Sequence, residues 1–175
     1  QIFADLNERQ GRPEAVAWRR KAVDCSPSIT NRLALAITAI RFETPPSATA
    51  SRVLNDLGAT ATNLPQYDIV SAQYEARNGN LAEAEDHYVS ALAAMPTNSE
   101  VALSLALLRL QMRGSTNVER AEAALKSLAD DPVVGVRALR PLAGLAASRG
   151  DFAEALAYSE RILLTENSTF DDRLA

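Results

Sequence analysis

Apolar positions along the chain fall into short amphipathic stretches, separated by turns that contain Gly, Pro or Asn. In the clearest stretch, Ala84 is followed by Tyr88 four residues later and by Ala91 three residues after that, and Pro96 closes the segment. Spacings of three and four residues place side chains on one face of an α-helix. The pattern therefore predicts helices throughout, two in each repeating unit.

The same order of small, large and small side chains recurs at a nearly constant interval. Steps of 35, 34, 37 and 34 residues separate the anchor alanines, which are Ala15, Ala50, Ala84, Ala121 and Ala155. Such a period is typical of helical repeat proteins, in which a helix pair buries its apolar face against the next pair. We predict five repeats and the start of a truncated sixth, at approximately 1–27, 28–62, 63–96, 97–132, 133–167 and 168–175.

Several local signals refine the predicted helices. A polar residue followed by Glu three positions later predicts three capping boxes, at Asn80/Glu83, Thr97/Glu100 and Thr116/Glu119. Ser168 with Asp171 predicts the cap of the sixth repeat. Pro141 predicts a late start or a mild kink in the helix that contains it.

Two segments carry a family resemblance, GNLAEAEDHYVSALAAMP at 79–96 and GDFAEALAYSERI at 150–162. They resemble tetratricopeptide repeats (TPRs), and the resemblance extends over essentially the whole chain; the general composition resembles TPR regions of bacterial proteins. The third repeat departs from the family pattern, because Asp68 and Ser71 occupy positions that are usually large and apolar. The resemblance implies an all-α fold, a single array forming a right-handed α-solenoid of antiparallel helix pairs.

The resemblance also implies a concave groove, lined by the first helix of each repeat, that binds peptides or proteins. Carried over residue by residue, the groove-facing candidates are Gln66, Ile69, Gln73, Arg77, Glu100, Leu103, Leu107, Gln111, Arg137 and Arg140. Family members that bind chaperone tails grip a carboxylate with lysine, asparagine and arginine side chains at such positions. The residues at the corresponding positions do not reproduce that cluster, so we do not expect that ligand; they are Ile69, Gln73, Leu103 and Leu107.

Composition narrows the classes of partner. A formal charge of −4 and a sequence pI near 5.1 disfavour nucleic acid and anionic membrane surfaces as main partners. No run approaches the roughly 20 apolar residues that cross a bilayer. The single cysteine, Cys25, cannot form an internal disulfide and so does not indicate the redox compartment. Both a cytoplasmic and a periplasmic location stay open, as does tethering of the segment by a region absent from this sequence. The start at Gln1 without a methionine suggests a fragment of a longer protein.

Side chains that could carry chemistry are few. His87 is the only histidine, and its position on a second helix favours a plain surface residue over a metal or catalytic role. Trp18 beside Arg19 and Arg20 offers a binding surface, although packing against the adjacent helix is favoured. No phosphate loop, nucleophile elbow or metal-spaced cluster is present, so we expect no catalytic, metal or cofactor site.

These observations predict a non-enzymatic scaffold or adaptor for a partner protein or peptide. Two alternatives stay open. In the first alternative, the segment is the TPR region of a larger enzyme or of a membrane-tethered assembly or secretion protein, for example one that handles cell-surface polysaccharide. The activity of that protein then lies outside this segment. Alternatively, apolar faces at the ends of the array lead to self-association.

Overall fold

The computed structural model describes residues 2–61 and 63–171, with residues 59 and 166–171 as backbone only. Over this part of the chain it contains ten α-helices and no β-strand, which confirms the predicted all-α class. The chain divides into two compact units, Gln1–Pro96 and Thr97–Ala175. Each unit is described by itself below.

The first unit contains six helices, in the order α1 (Ile2–Arg9), α2 (Glu14–Cys25), α3 (Ile29–Phe42), α4 (Ala48–Ala61), α5 (Pro65–Asn78) and α6 (Leu81–Ala94). Each helix packs against the next one in the chain, and α3 packs beside α5 as well. Most connections are only two to five residues long, which favours antiparallel neighbours. Alternate helices such as α3 and α5 therefore run in the same direction.

The second unit contains four helices, α7 (Ser99–Met112), α8 (Ser115–Leu128), α9 (Gly135–Ser148) and α10 (Phe152–Asp171). The helices again pack in sequence, α7 on α8, α8 on α9 and α9 on α10. Leu103, Leu125, Leu139 and Leu142 form the centre of this unit's core. A separate apolar core in the first unit is built from α3, α4 and α5 around Leu57.

The anchor alanines lie where the repeat pattern predicts close helix packing. All four from Ala15 to Ala121 are completely buried on second helices, whereas Ala155 on α10 is half-buried. A methyl side chain lets two helix backbones approach closely, so a larger side chain at these sites meets packed neighbours. The repeat boundaries themselves stay a prediction.

The turn between α5 and α6 shows why glycine is needed at one repeated position. Gly79 has a φ of 88°, a conformation that an L side chain rarely adopts. The N–H of Gly79 donates to Ala76 O at 3.2 Å, and the N–H of Asn80 donates to Glu75 O at 2.9 Å. This pair of bonds is a Schellman motif, which ends α5 and turns the chain into α6.

The predicted capping boxes are wrong in detail. Asn80 occupies the N-cap of α6, but its side-chain amide donates to Glu75 Oε2 at 2.6 Å instead of capping the helix. Asn98, one residue after Thr97, caps α7 by accepting from the N–H of Val101 at 3.2 Å. Thr116 lies inside α8, because that helix already begins at Ser115.

Two further local predictions concern α9 and α10. Helix α9 begins at Gly135 and continues through Pro141 to Ser148, so the proline does not delay its start; the mild kink stays a prediction. Helix α10 is continuous to Asp171, and the backbone at Ser168 is helical rather than a cap. Residues 172–175 lie outside the described residues, so a sixth repeat stays a prediction.

Candidate functional site

An apolar groove of about 750 Å³ lies between α3 and α5 in the first unit. Two helices and the residue that precedes α5 form its walls, and nine side chains line it: Ile29, Thr30, Leu33, Ala34, Ile37, Leu64, Gln66, Ile69 and Val70. No acidic or basic residue is among them. Its volume falls in the range of roughly 300–1,000 Å³ that is usual for specific binding sites.

The two walls of the groove are built from equivalent helix positions. Both helices are 14 residues long, and Thr30, Leu33 and Ile37 of α3 correspond to Gln66, Ile69 and Gln73 of α5. These positions are three or four residues apart and therefore follow one face of each helix. Neighbouring residues of α3 enter the core, because Leu35, Ala36 and Ile40 are at most 7% exposed, whereas Ile37 is 43% exposed.

The structure places the four first-unit candidates along α5. Gln66 and Ile69 line the groove, Gln73 is half-buried, and Arg77 is exposed near the end of the helix. The contribution of α3 was missed, because the family positions were carried over only from the third repeat onward. The same positions in the second repeat would have pointed to Leu33 and Ile37.

The second unit brings some candidates together and buries another. The guanidinium of Arg137 on α9 donates to both carboxylate oxygens of Glu100 on α7, each at 2.7 Å. Arg137 is therefore already paired with an acid of its own chain. Leu103 is fully buried in the core, so its side chain does not face a groove.

The other second-unit candidates differ in exposure. Leu107 is half-buried against the same core, while Gln111 and Arg140 are exposed. No cavity among those described groups these three side chains with Glu100 and Arg137.

The buried Asp68 on α5 has two hydrogen-bonding partners on the next helix. Its carboxylate lies 2.9 Å from Nδ1 of His87 and accepts a hydrogen bond from Ser90 Oγ at 2.8 Å, both partners being on α6. Helix α6 thus supplies both polar partners of the Asp68 carboxylate. His87 is half-buried and bonded across the helix pair, which corrects its interpretation as a plain surface residue.

A second polar cluster joins α1, α2 and α3. Glu8 accepts hydrogen bonds from Arg19 Nε at 2.8 Å and from the hydroxyl of the buried Thr38. Partial burial raises the pKa of the Glu8 carboxyl, but the bonds from Arg19 and Thr38 and the nearby charge of Arg41 outweigh it, so that the pKa is lowered. Asp5 adds a second ion pair to Arg19 at 2.6 Å.

Trp18 packs on the neighbouring helix, as favoured from the sequence. Its ring stacks on Phe3 of α1 with a centroid distance of 5.2 Å, and Lys21 Nζ lies 4.4 Å from its centroid. Phe3 and Trp18 remain partly exposed beside a cavity of about 240 Å³ that also reaches the exposed thiol of Cys25.

Two other kinds of site are absent from the described residues. No group of three or more His, Cys, Asp and Glu side chains there is placed to hold a metal ion. Likewise, among the helices described between residues 2 and 171, none has the length and apolarity required to cross a membrane.

Comparison with known proteins supplies a fold but no close relative. No protein-family model matches the sequence, and no curated protein matches it. A crystal structure of MamA matches at 18% identity with a TM-score of 0.71, covering 96% of this chain and 96% of that one. A second crystal structure of MamA matches at 18% identity with a TM-score of 0.68, over 98% and 92% of the two chains.

MamA is a TPR-containing helical-repeat structure. The chain has the same TPR-like fold. At this level of identity the match carries the fold alone. The predicted repeat boundaries make α3 and α5 the first helices of the second and third repeats, and on that prediction the groove lies where two repeats meet.

Proposed function

We propose that this TPR-like chain is a non-enzymatic interaction module that binds a partner protein through the face formed by α3 and α5. The observation that carries the proposal is the open apolar groove between these helices. Ile37 remains 43% exposed there, although Leu35, Ala39 and Ile40 of the same helix are buried in the core. Apolar surface left open in a recess is typical of sites that a partner covers.

The fold supports an interaction role without identifying the partner. A fold of this kind hosts different functions, so the argument depends on the groove itself. In the first unit the proposed binding residues are Gln66, Ile69, Gln73 and Arg77, with Ile37 as the added contact from α3. In the second unit, Glu100, Leu107, Gln111, Arg137 and Arg140 stay predicted contacts.

Site-specific photo-crosslinking in the cells that make the protein tests this proposal. A photoreactive amino acid replaces the exposed Gln66 in the groove, and a matched control places it at the exposed Glu83 on α6. We expect a discrete protein adduct from position 66, none of that mass from position 83, and loss of the adduct when Ile37→Asp is added. Identical adducts from both positions, or no adduct from position 66, would contradict the proposal.

Self-association is a second candidate that specific observations favour. Ile2, Phe3 and Leu6 on α1 and Phe152 and Leu156 on α10 are exposed apolar residues. Apolar patches on two different surfaces allow head-to-tail contacts between copies. Sedimentation velocity over a concentration series should then show growing assemblies that Phe152→Ser with Leu156→Ser reduces; a concentration-independent monomer would exclude this candidate.

The interpretation as the repeat region of a larger enzyme or tethered assembly protein is compatible with the same groove. It places the activity in residues that flank the segment. Reading the complete gene on both sides decides it, because a catalytic domain or an apolar anchor would be visible there.

A further inference from the structure

We infer that copies of this chain associate through a heterologous contact, in which the outer face of α1 in one copy packs on the outer face of α10 in the next copy. The inference rests on self-association, the second function proposed above, and it names the two surfaces that meet. The α1 face consists of Ile2, Phe3, Leu6 and the neighbouring Trp18 of α2, and the α10 face consists of Phe152, Leu156 and Leu163.

Helix α1 presents its large apolar side chains on the side that faces away from its own unit. At about 100° per residue, Ile2, Phe3 and Leu6 fall within a sector of about 100° around the helix axis, and they are between 49% and 81% exposed. The other side of α1 contacts the chain, where Ala4 is fully buried and Glu8 accepts a hydrogen bond from α2. The apolar part of this helix is therefore open to water.

Helix α10 has the same kind of outer face. Phe152, Leu156 and Leu163 fall within a sector of about 40° around the helix axis, and they are between 59% and 73% exposed. Tyr158 and Ile162, on the other side of the helix, pack against the core of the second unit. Outer faces that remain in water are usually polar in helical repeat proteins, so these two apolar faces are typical of surfaces that another molecule covers.

The two faces together are large enough to form an interface. A fully exposed large apolar side chain carries on the order of 200 Å² of surface, so at the observed exposures each face offers about 400 Å². Pairing the two faces would remove about 800 Å² of apolar surface from water. Because apolar atoms make up about 65% of a well-buried interface, the total would reach about 1,200 Å², which is the lower limit for stable association of proteins.

The charge of α10 favours α1, rather than a second α10, as its partner. Helix α10 contains four acidic residues and one arginine, so two copies of this helix would bring like charges together. The region around the α1 face is nearly balanced, with five basic and four acidic residues between positions 1 and 25. A contact between two α1 faces avoids the repulsion but leaves the α10 face in water. The contact between α1 and α10 covers both faces.

Packing of α1 on α10 between copies extends the arrangement found within each unit. There, every helix packs on the next helix in the chain, and α1 and α10 each pack chiefly on one neighbour, α2 and α9 respectively. A contact between copies gives each of these two helices a second neighbour. Because the two faces belong to different helices, a copy that uses its α1 face keeps its α10 face free. Assemblies larger than a dimer therefore form as the concentration rises.

A complementation experiment with two variants, each altered on one face, tests the inference. Phe3→Asp places a carboxylate in the α1 face and Leu156→Asp places one in the α10 face, and each should weaken association at least about tenfold. In sedimentation velocity, the unaltered chain should form assemblies that grow with concentration, whereas each variant alone should stay monomeric. An equimolar mixture of the two variants should form a 1:1 dimer and nothing larger, because each variant retains the face that the other lacks.

Val89→Asp, the same type of change at an exposed residue of α6 outside both faces, is the matched control and should assemble like the unaltered chain. If Phe3→Asp disturbs α1, the experiment still decides, because that variant needs only its α10 face to join the mixture. A mixture that stays monomeric, or a variant that assembles on its own, would refute the α1–α10 contact while self-association stands. If the unaltered chain is monomeric at every concentration, the inference and the self-association candidate both fail, and partner binding at the α3–α5 groove is unaffected.

Discussion

Leu103→Ala is the substitution that most sharply separates a core role from a binding role. The family resemblance implies a groove-facing position for Leu103, whereas the structure buries it completely between α7, α8 and α9. The substitution removes three carbon groups, worth about 2.4 kcal/mol at about 0.8 kcal/mol each. The cavity left behind adds to this, and we expect a total loss of about 3–5 kcal/mol in the free energy of unfolding.

The matched control is Leu156→Ala on α10, where the same atoms are removed from a side chain that is 60% exposed. That change should cost at most about 1 kcal/mol. Urea unfolding of both variants, followed by circular dichroism at 222 nm, measures the difference, and unchanged m-values make the comparison valid. Equal losses in the two variants would refute the placement of Leu103 in the core.

Three further predictions address turns, helix crossings and acid sensitivity. Gly79→Ala should lower stability by about 1 kcal/mol because the residue has a positive φ, whereas Gly144→Ala, in open space within α9, should raise it by about 0.5–1 kcal/mol; thermal unfolding compares them. Ala84→Leu should cost about 1–3 kcal/mol by overpacking a fully buried site, and the exposed Ala93→Leu on α6 should cost almost nothing in the same assay. The pKa of Glu43 is lowered, because burial raises it less than the hydrogen bonds from Thr49 and Ser47 lower it. The ionised Glu43 carboxylate therefore stabilises the fold above about pH 4.3, and this contribution is lost as the pH falls further. Glu43→Gln should flatten the pH dependence of the free energy of unfolding between about pH 5 and 3, and an unchanged profile would contradict this.

The helical repeat was predictable because its signal is carried by many positions at once. The nearly constant intervals between Ala15, Ala50, Ala84 and Ala121 indicate helix crossings that are buried in the structure. Individual polar side chains were less predictable, because their partners come from other helices. Asp68 is an example, since nothing near it in sequence indicates His87 and Ser90 as its partners.

The candidate site was predictable only in part, because its second wall comes from a different helix. Periodicity places Gln66 and Ile69 on one face of α5, but it does not reveal which helix lies opposite. Ile37 and Ile40 are identical side chains three residues apart, so only the packing separates the buried Ile40 from the open Ile37. In the second unit, the pairing of Arg137 with Glu100 depends on α7 and α9 being neighbours, which repeat spacing suggests without fixing side-chain contacts.

Thiol labelling of single cysteines in the native protein, with Cys25 replaced by Ser, tests the central arrangement most directly. The account predicts that cysteines at positions 37 and 66 react at rates close to those of an unfolded peptide, because both side chains face the open groove. Cysteines at positions 40 and 70 should react orders of magnitude more slowly, since they require opening of the core. Similar rates at all four positions, or protection at 37 and 66 with rapid reaction at 40 and 70, would contradict the packing of α3 beside α5.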